Sequence, residues 1–326
     1  MGKRVNFAII ALPPRCPFSN LIMLSAPIDL HLVRQLFSAP DKIHASDFLR
    51  REIAARMRER LELVKIQPQT ILDAGCGEGL DTPELQKKYP GAQVIGVDAS
   101  LTMLAVAQNH QRMAQGTVNR LLNKWAPAAF RASSNTGLIC ADFARLPCAT
   151  AGTDLLWSNL ALHWHPQPDI VFAEWRRVLR TEGLLMFSCF GPDTLIELRE
   201  AYAKHDQHPH TIPFVDMHDF GDMLVNTGFS TPVMDMEKIT ITYSSVEKLF
   251  SDIRAFGGNP LMTRRRGLTG KHLHRAVCQT LEQTRNADGV IPLTFEVIYG
   301  HAFRPVSRKT AAGESIIRFD SPKRNI

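Results

Sequence analysis

The run Thr70-Ile71-Leu72-Asp73-Ala74-Gly75-Cys76-Gly77-Glu78-Gly79, followed by Val94-Ile95-Gly96-Val97-Asp98, constrains this chain more than any other stretch. Ile71 and Leu72 read as a buried parallel strand, after which the chain must turn sharply into a helix. Glycine supplies positive φ there and lets a ligand approach the backbone closely. Between Gly79 and Asp98 there is room for one helix and one strand, and that strand ends in an acid. In a doubly wound sheet, an acid so placed grips the ribose hydroxyls of an adenosine-containing ligand. Strand, glycine turn, helix, strand and acid in this order predict an α/β fold with a doubly wound sheet. Glycines that served only a tight strand-to-helix turn would not require the rest of that order.

The spacing also separates one cofactor class from another. The dinucleotide fingerprint G-x-G-x-x-G sets a pyrophosphate on a helix N-terminus. Here the pattern is Asp73-x-Gly75-x-Gly77-x-Gly79, with Glu78 between the last two glycines. That acid would repel a pyrophosphate and suits a zwitterion or a cation. The pattern resembles the first motif of class I S-adenosylmethionine-dependent methyltransferases, whose cofactor carries a sulfonium and an α-ammonium. The resemblance implies S-adenosyl-L-methionine as cofactor. It also implies a seven-stranded Rossmann-like sheet whose last strand runs antiparallel beside the fifth, with helical insertions capping the substrate side.

Periodicity along the chain agrees with that class. Residues 28–65 read as helical, with Phe48, Leu49, Ile53, Met57, Leu61 and Val64 at helical spacing, and are expected to lid the cofactor pocket. Strands are expected at 69–74, 93–98, 137–141, 154–158 and 183–190, alternating with helices at 80–89, 100–110 and 168–179. Leu101, Leu104 and Val106 are expected to pack the second of these helices, and Val171, Phe172, Trp175 and Leu179 the third. Such alternation demands parallel pairing with right-handed crossovers. Helices at 192–204 and 216–227, a strand near 232–242, a helical insertion over about 244–292 and a strand at 293–303 follow. The domain is therefore expected to span 28–304, between a disordered N-terminal extension, 1–27, and a basic C-terminal tail, 305–326. Residues 1–25 read either as extension or as sequence ahead of a start at Met23. Residues 111–136 contain Arg112, Arg120, Lys124 and Arg131 and no acid, and are expected to be a surface insertion.

Composition narrows the function classes. The 326 residues carry a net charge of +6, without a basic stripe interleaved with aromatics, which argues against nucleic-acid binding. An acidic protein partner or an anionic substrate suits that charge equally well. The six cysteines are scattered without a C-x-x-C pair or metal spacing, so a reducing, cytoplasmic compartment and no metal site are expected. No apolar run approaches the ~20 residues of a membrane span.

Ligands of open α/β sheets lie beyond the carboxyl ends of the strands. That rule gathers Asp73, Gly75, Gly77, Gly79, Asp98, Asp142, Asn159 and Phe190 on one rim. The resemblance implies cofactor binding by the glycine motif, Asp98 and Asn159. It assigns Asp142 to the adenine amino group and Phe143 to a backbone N–H or a stacking contact. His163 and Trp164 follow the fourth strand, where the transferred methyl should point. They read either as a wall around the methyl and its acceptor, with Phe190, or as packing with a hydrogen-bonded histidine beneath; Trp157 reads as core. No general base constellation is visible. A carboxylate acceptor needs none, because its ordinary pKa of about 4 leaves it ionised at neutral pH.

Three further segments carry a sharper resemblance. They are Trp157-Ser-Asn-Leu-Ala-Leu-His-Trp164, Glu174-Trp-Arg-Arg-Val-Leu-Arg180 and Phe190-Gly-Pro-Asp-Thr-Leu-Ile-Glu-Leu-Arg199. With His208-Pro-His210, Pro213-Phe214 and Pro292-Leu-Thr-Phe295, they resemble the malonyl-[acyl-carrier protein] O-methyltransferases of biotin synthesis over residues 30–305. This resemblance implies esterification of the free malonyl carboxylate on an acidic acyl-carrier protein, which would dock on Arg264, Arg265, Arg266, Lys271 and Arg275 or on the insertion 111–136. Members often carry a Tyr-Asp-like pair before the first strand; here Phe37 occupies that stretch and can replace an aromatic wall but not a hydroxyl. The Leu-His-Trp and Asp-Thr-Leu-x-Glu-Leu-Arg runs are also similar to the methyltransferase-like assembly factor of respiratory complex I, which implies oxidative modification of a protein arginine instead.

Overall fold

A computed structural model of the chain describes residues 26–114, 136–267 and 269–306. The expected N-terminal extension and the insertion lie almost wholly outside the described residues, as does nearly all of the basic tail. Among the described residues, seven strands form one sheet in the order β3-β2-β1-β4-β5-β7-β6. They are β1 (Thr70–Ala74), β2 (Gln93–Asp98), β3 (Thr136–Cys140), β4 (Thr153–Asn159), β5 (Leu179–Phe190), β6 (Ser230–Tyr243) and β7 (Ile291–Phe303). The first five pair in parallel, and β7 runs antiparallel to both β5 and β6. Strand order reverses between β1 and β4, which opens a crevice above their carboxyl ends.

Each central strand is buried on both faces, as helices covering both sides of a parallel sheet require. One face packs Leu49, Ile53, Met57 and Leu61 against Ile71, Trp157 and Leu184. The other packs Phe172, Trp175, Phe220 and Leu224 against Phe187 and Leu156. Along β6, an edge strand, half-buried and exposed side chains alternate over most of its length, so only one face touches the core.

The segment 28–65 is not one helix. It breaks into α1 (Leu30–Leu36), α2 (Pro40–Ile43), a single 3-10 turn and α3 (Asp47–Glu62). Asp29 caps α1 by accepting the His31 and Leu32 N–H groups. Pro40 then bars Ala39 from helical backbone and ends the run. Phe48, expected in the packed stripe, is 48% exposed.

Between the early strands lie α4 (Thr82–Lys88) and α5 (Leu101–Ala114). Met103, Leu104 and Ala107 form the buried stripe of α5, and Leu101, expected to pack, is 51% exposed. Helix α6 (Pro168–Val178) buries Val171, Phe172 and Trp175 as its spacing predicts. Helices α7 (Ile196–Ala203) and α8 (Met217–Thr227) follow β5, and α9 (Val246–Ala255) and α10 (Lys271–Glu282) fill the expected helical insertion. Between them, Leu261 bridges to Ile28, and the Met262 N–H donates to the Pro27 carbonyl at 2.8 Å, strapping the start of the described chain to this cap.

Candidate active site

The crevice above β1 and β4 contains a cavity with contributions from four layers of the sequence. Strand β1 and its turn supply Asp73, Gly75, Cys76, Gly77 and Glu78. From β2 and the start of α5 come Asp98, Ser100 and Met103, and Phe143 and Asn159 reach in from the ends of β3 and β4. Val33, Arg34, Phe37 and Arg50, from α1 to α3, close the top. The 28–65 segment thus does lie over the pocket, and its break after α1 is what turns Phe37 inward.

The glycine turn is held by contacts that leave no room for side chains. Gly75 has φ of +80°, and a Cβ there would run into the Ala161 Cβ on the loop after β4. Two segments distant in sequence therefore cross at backbone distance, and only glycine satisfies both the conformation and the approach. Asp98 stabilises the same turn: its Oδ2 accepts the Gly77 N–H at 2.9 Å, and its Oδ1 accepts the Ser100 N–H at 2.8 Å.

Three carboxylates, Asp73, Asp81 and Asp98, line this largely apolar cavity. Burial, then the charges of Asp81 and Asp98, push the Asp73 carboxyl well above its ordinary range. Burial raises Asp98 as well, against the backbone N–H groups of Ser100 and Gly77, which favour its ionised form. Asp81 is raised by burial and partly restored by the Trp157 Nε1–H, which donates to it at 2.9 Å, and by Arg58 at 3.8 Å. The Asp73 Oδ2 is buried without a hydrogen-bond partner. A ligand bearing positive charge relieves both the mutual repulsion and the orphaned oxygen. Glu78 adds a fourth acid, raised by burial and by Asp47.

Above these acids, the Arg50 guanidinium pairs with Asp47 and donates to the Ile43 carbonyl at 2.9 Å. Ligand atoms of His44, Asp47 and Glu78 come within 4.8 Å of one another. The Arg50 guanidinium already supplies Asp47 with the positive charge a metal would bring.

The other expected site residues divide into those that reach the cavity and those that do not. Asn159 lines it, yet its amide is engaged: Nδ2 donates to the Arg50 carbonyl at 3.1 Å and Oδ1 accepts from Ser188 at 2.8 Å. Phe143 lines it, and its carbonyl accepts the Trp175 Nε1–H at 3.1 Å. Asp142 and Gly79 are not on the lining. Asp142 accepts the Ala144 N–H at 2.9 Å and faces Arg34 at 3.5 Å, while Gly79 lets α5 pack close at Ala107.

Trp164 is the common wall between this cavity and a second, tighter chamber that contains Phe190, Phe214, Phe256 and Phe295. His163 sits behind both, its ring 4.9 Å from each of Trp164 and Phe190, and lines neither. Burial pushes its pKa down to about 3, so the imidazole is neutral. Of the two roles open to His163, the packed one fits its place, although its Nε2 has no partner and the Phe190 N–H reaches Nδ1 only at 3.5 Å.

Sequence reasoning missed Arg34, Arg50, Glu78 as a lining group, and Asp81. Asp81 precedes Thr82-Pro83, where an acid reads as a helix cap. Its true partner, Trp157, is 76 residues away. Nothing in the local sequence separates Arg50 from its neighbours Arg51, Arg56, Arg58 and Arg60.

A family profile described as "Methyltransferase domain" matches residues 72–187. A malonyl-[acyl-carrier protein] O-methyltransferase of Gallionella capsiferriformans is 43% identical over 293 residues, covering 89% of this chain and 96% of the relative. A protein of the same name from Laribacter hongkongensis is 44% identical over 275 residues, covering 83% of this chain and 89% of the relative. Among solved structures, the YcgJ protein from Bacillus subtilis superposes with a TM-score of 0.54 at 14% identity, over 77% of this chain and 98% of that one, a likeness of fold.

Proposed function

The chain belongs to the malonyl-[acyl-carrier protein] O-methyltransferase family, and on that footing we propose that it methylates the free carboxylate of malonyl-acyl-carrier protein, giving an ester for the pimeloyl precursor of biotin. The observation that carries this reading is the family match across nearly the whole relative, joined to a cavity whose acids suit a cationic methyl donor.

S-adenosyl-L-methionine supplies an electrophilic methyl on a sulfonium. The orphaned Asp73 Oδ2 fits its α-ammonium, and Asp98, anchored to Gly77 and Ser100, has acceptor capacity left for the ribose. Gly75 and Gly77 keep the turn open for the ligand, and Phe143 and Asn159 complete the cradle. Gly79 and Asp142 act from behind it, by seating α5 and by fixing the loop after β3. Trp164 and Phe190 line the side from which the acceptor arrives, with His163 packed beneath them.

The chain's own part in the chemistry is to position and to exclude water. A malonyl carboxylate reaches the site already ionised, so no side chain needs to take a proton. Removing its hydration in an aromatic chamber strengthens its attraction to a cation. Methylation then exchanges a charge for an apolar group, and the disguised acyl chain can enter fatty-acid elongation pockets. We place the one domain at 28–304 and the protein in the cytoplasm, where free thiols such as Cys76, Cys140, Cys148, Cys189 and Cys278, the cysteines among the described residues, persist.

Purified protein, labelled S-adenosylmethionine and malonyl-acyl-carrier protein test the proposal. A base-labile methyl on the malonyl group is expected, together with rescue of a biotin auxotroph lacking this activity. Absence of the ester overturns the proposal. Modification of a protein arginine, the other activity the sequence suggests, would leave no methyl on the carrier.

A further inference from the structure

The aromatic chamber beyond Trp164 adjoins a surface basin. His210, Thr211, Ile212 and Phe214 line both spaces, so a single segment after α7 forms the neck between them. The basin has a volume of about 770 Å³, and the chamber beneath it only about 30 Å³. From outside inward the order is basin, neck, aromatic chamber, Trp164 and cofactor cavity. A wide basin thus lies outside a small, largely aromatic chamber that shares Trp164 with the cofactor cavity.

The mouth is basic. Arg199 and Thr263 line the basin, and the Arg264-Arg265-Arg266 run continues directly from Thr263. The stretch from Met262 to Leu281 holds Arg264, Arg265, Arg266, Lys271 and Arg275 and no carboxylate. The one acid on the basin lining, Asp206, is already answered: His210 pairs with it at 3.1 Å and Arg265 stands 3.7 Å away. Positive charge therefore remains at the rim, on exposed Arg265 and Arg266 and half-buried Arg264, whereas the chamber is lined mainly by Phe190, Phe214, Phe256, Phe295 and aliphatic side chains, with Thr194, His210 and Thr211 as its polar members.

We infer that this basin is where the carrier protein docks: the acidic carrier rests on the Arg264–Arg266 rim, the phosphate of its pantetheine arm meets those arginines, and the arm threads the Ile212–Phe214 neck to bring the malonyl end past Trp164. The inference rests on the carrier-bound substrate proposed above and says where that substrate enters. A partner and arm of this kind match the site in charge outside and polarity inside. The small volume of the chamber requires the Ile212–Phe214 segment to yield as the arm enters, so closure behind the arm would keep water from the carboxylate.

The test compares two acceptors, malonyl-acyl-carrier protein and malonyl-pantetheine, which lacks both the phosphate and the protein. In the triple charge reversal R264E/R265E/R266E, the kcat/KM preference for the carrier-bound acceptor should fall by about tenfold or more, through KM rather than kcat. The same reversal at Lys87, exposed at the far end of α4, should leave that preference intact. A preference unchanged in the triple variant, whether both activities persist or both fall equally, overturns the docking site. If the wild-type protein methylates neither acceptor, the function proposed above fails, and not merely the docking site.

Discussion

Asp98 Oδ2 accepts the Gly77 N–H at 2.9 Å, so the acid that ends β2 is built into the glycine turn that ends β1. Its second oxygen is occupied in the same way by Ser100. One carboxylate thus shapes the cavity and, in the proposed function, also holds the cofactor's ribose.

This double duty predicts a compound defect for Asp98→Ala. Hydrogen bonds to a charged acceptor contribute about 1.5–3 kcal/mol each. Calorimetry should show S-adenosylmethionine binding weakened by at least one such bond, and the melting temperature should fall in the absence of ligand because the turn loses its anchor. Unchanged affinity would remove Asp98 from the ribose site.

Trp157, buried behind the cavity, and Asp81 on its lining form a second built-in pair. Trp157→Phe leaves the Asp81 carboxylate without its indole donor, at a cost of about 1–3 kcal/mol for the stranded acceptor. A double-mutant cycle with Asp81→Ala, followed by urea unfolding, should give a coupling energy well above zero. Additive effects would show that the hydrogen bond carries no stability.

Gly257 wedges the wall between the two spaces. Its φ is +118°, and an added Cβ would lie 2.6 Å from Trp164 Cη2 and 3.1 Å from Phe37 Cζ. Gly257→Ala should therefore strain the backbone by about 1–3 kcal/mol and push Trp164 and Phe37, both lining residues, out of place. A reduced kcat with a lowered melting temperature is expected. A variant with the activity and melting temperature of the wild type would mean that Trp164 is free to move.

His163 gives a pH signature. Burial lowers its folded pKa to about 3, while in the unfolded chain the imidazole titrates at its ordinary value near 6.5. Above that value both states are neutral and nothing is gained or lost. As pH falls from about 6.5 toward 3, the unfolded state binds a proton that the folded state refuses, and stability drops by about 1.4 kcal/mol per pH unit. His163→Phe should remove one proton's worth of that slope in unfolding titrations between pH 6 and 4. An unchanged slope would show that the imidazole is already protonated in the fold.

Much of the architecture was legible in the chain. The β2 limits, 93–98, agree with the structure residue for residue, and β1 and β4 agree within one, because buried parallel strands bounded by glycine or acid leave little latitude. The helical character expected over 28–65 is present, broken into pieces at Pro40, and Leu101, three residues before the buried Leu104 and so at the expected spacing, is exposed at the first residue of α5.

What the sequence determined by itself was local and periodic: the order of strands and helices, the glycine turn, the acid after β2, and the segments 157–164 and 190–199 that mark the family. What only the tertiary structure decided were the meetings of residues far apart in the chain. Gly75 crosses Ala161, Trp157 donates a hydrogen bond to Asp81, the Arg50 carbonyl accepts one from Asn159, and the segment His210–Phe214 lines both the basin and the chamber. No periodicity encodes these pairs. They arise when the strand order reverses between β1 and β4 and the crossovers bring separate loops to one rim.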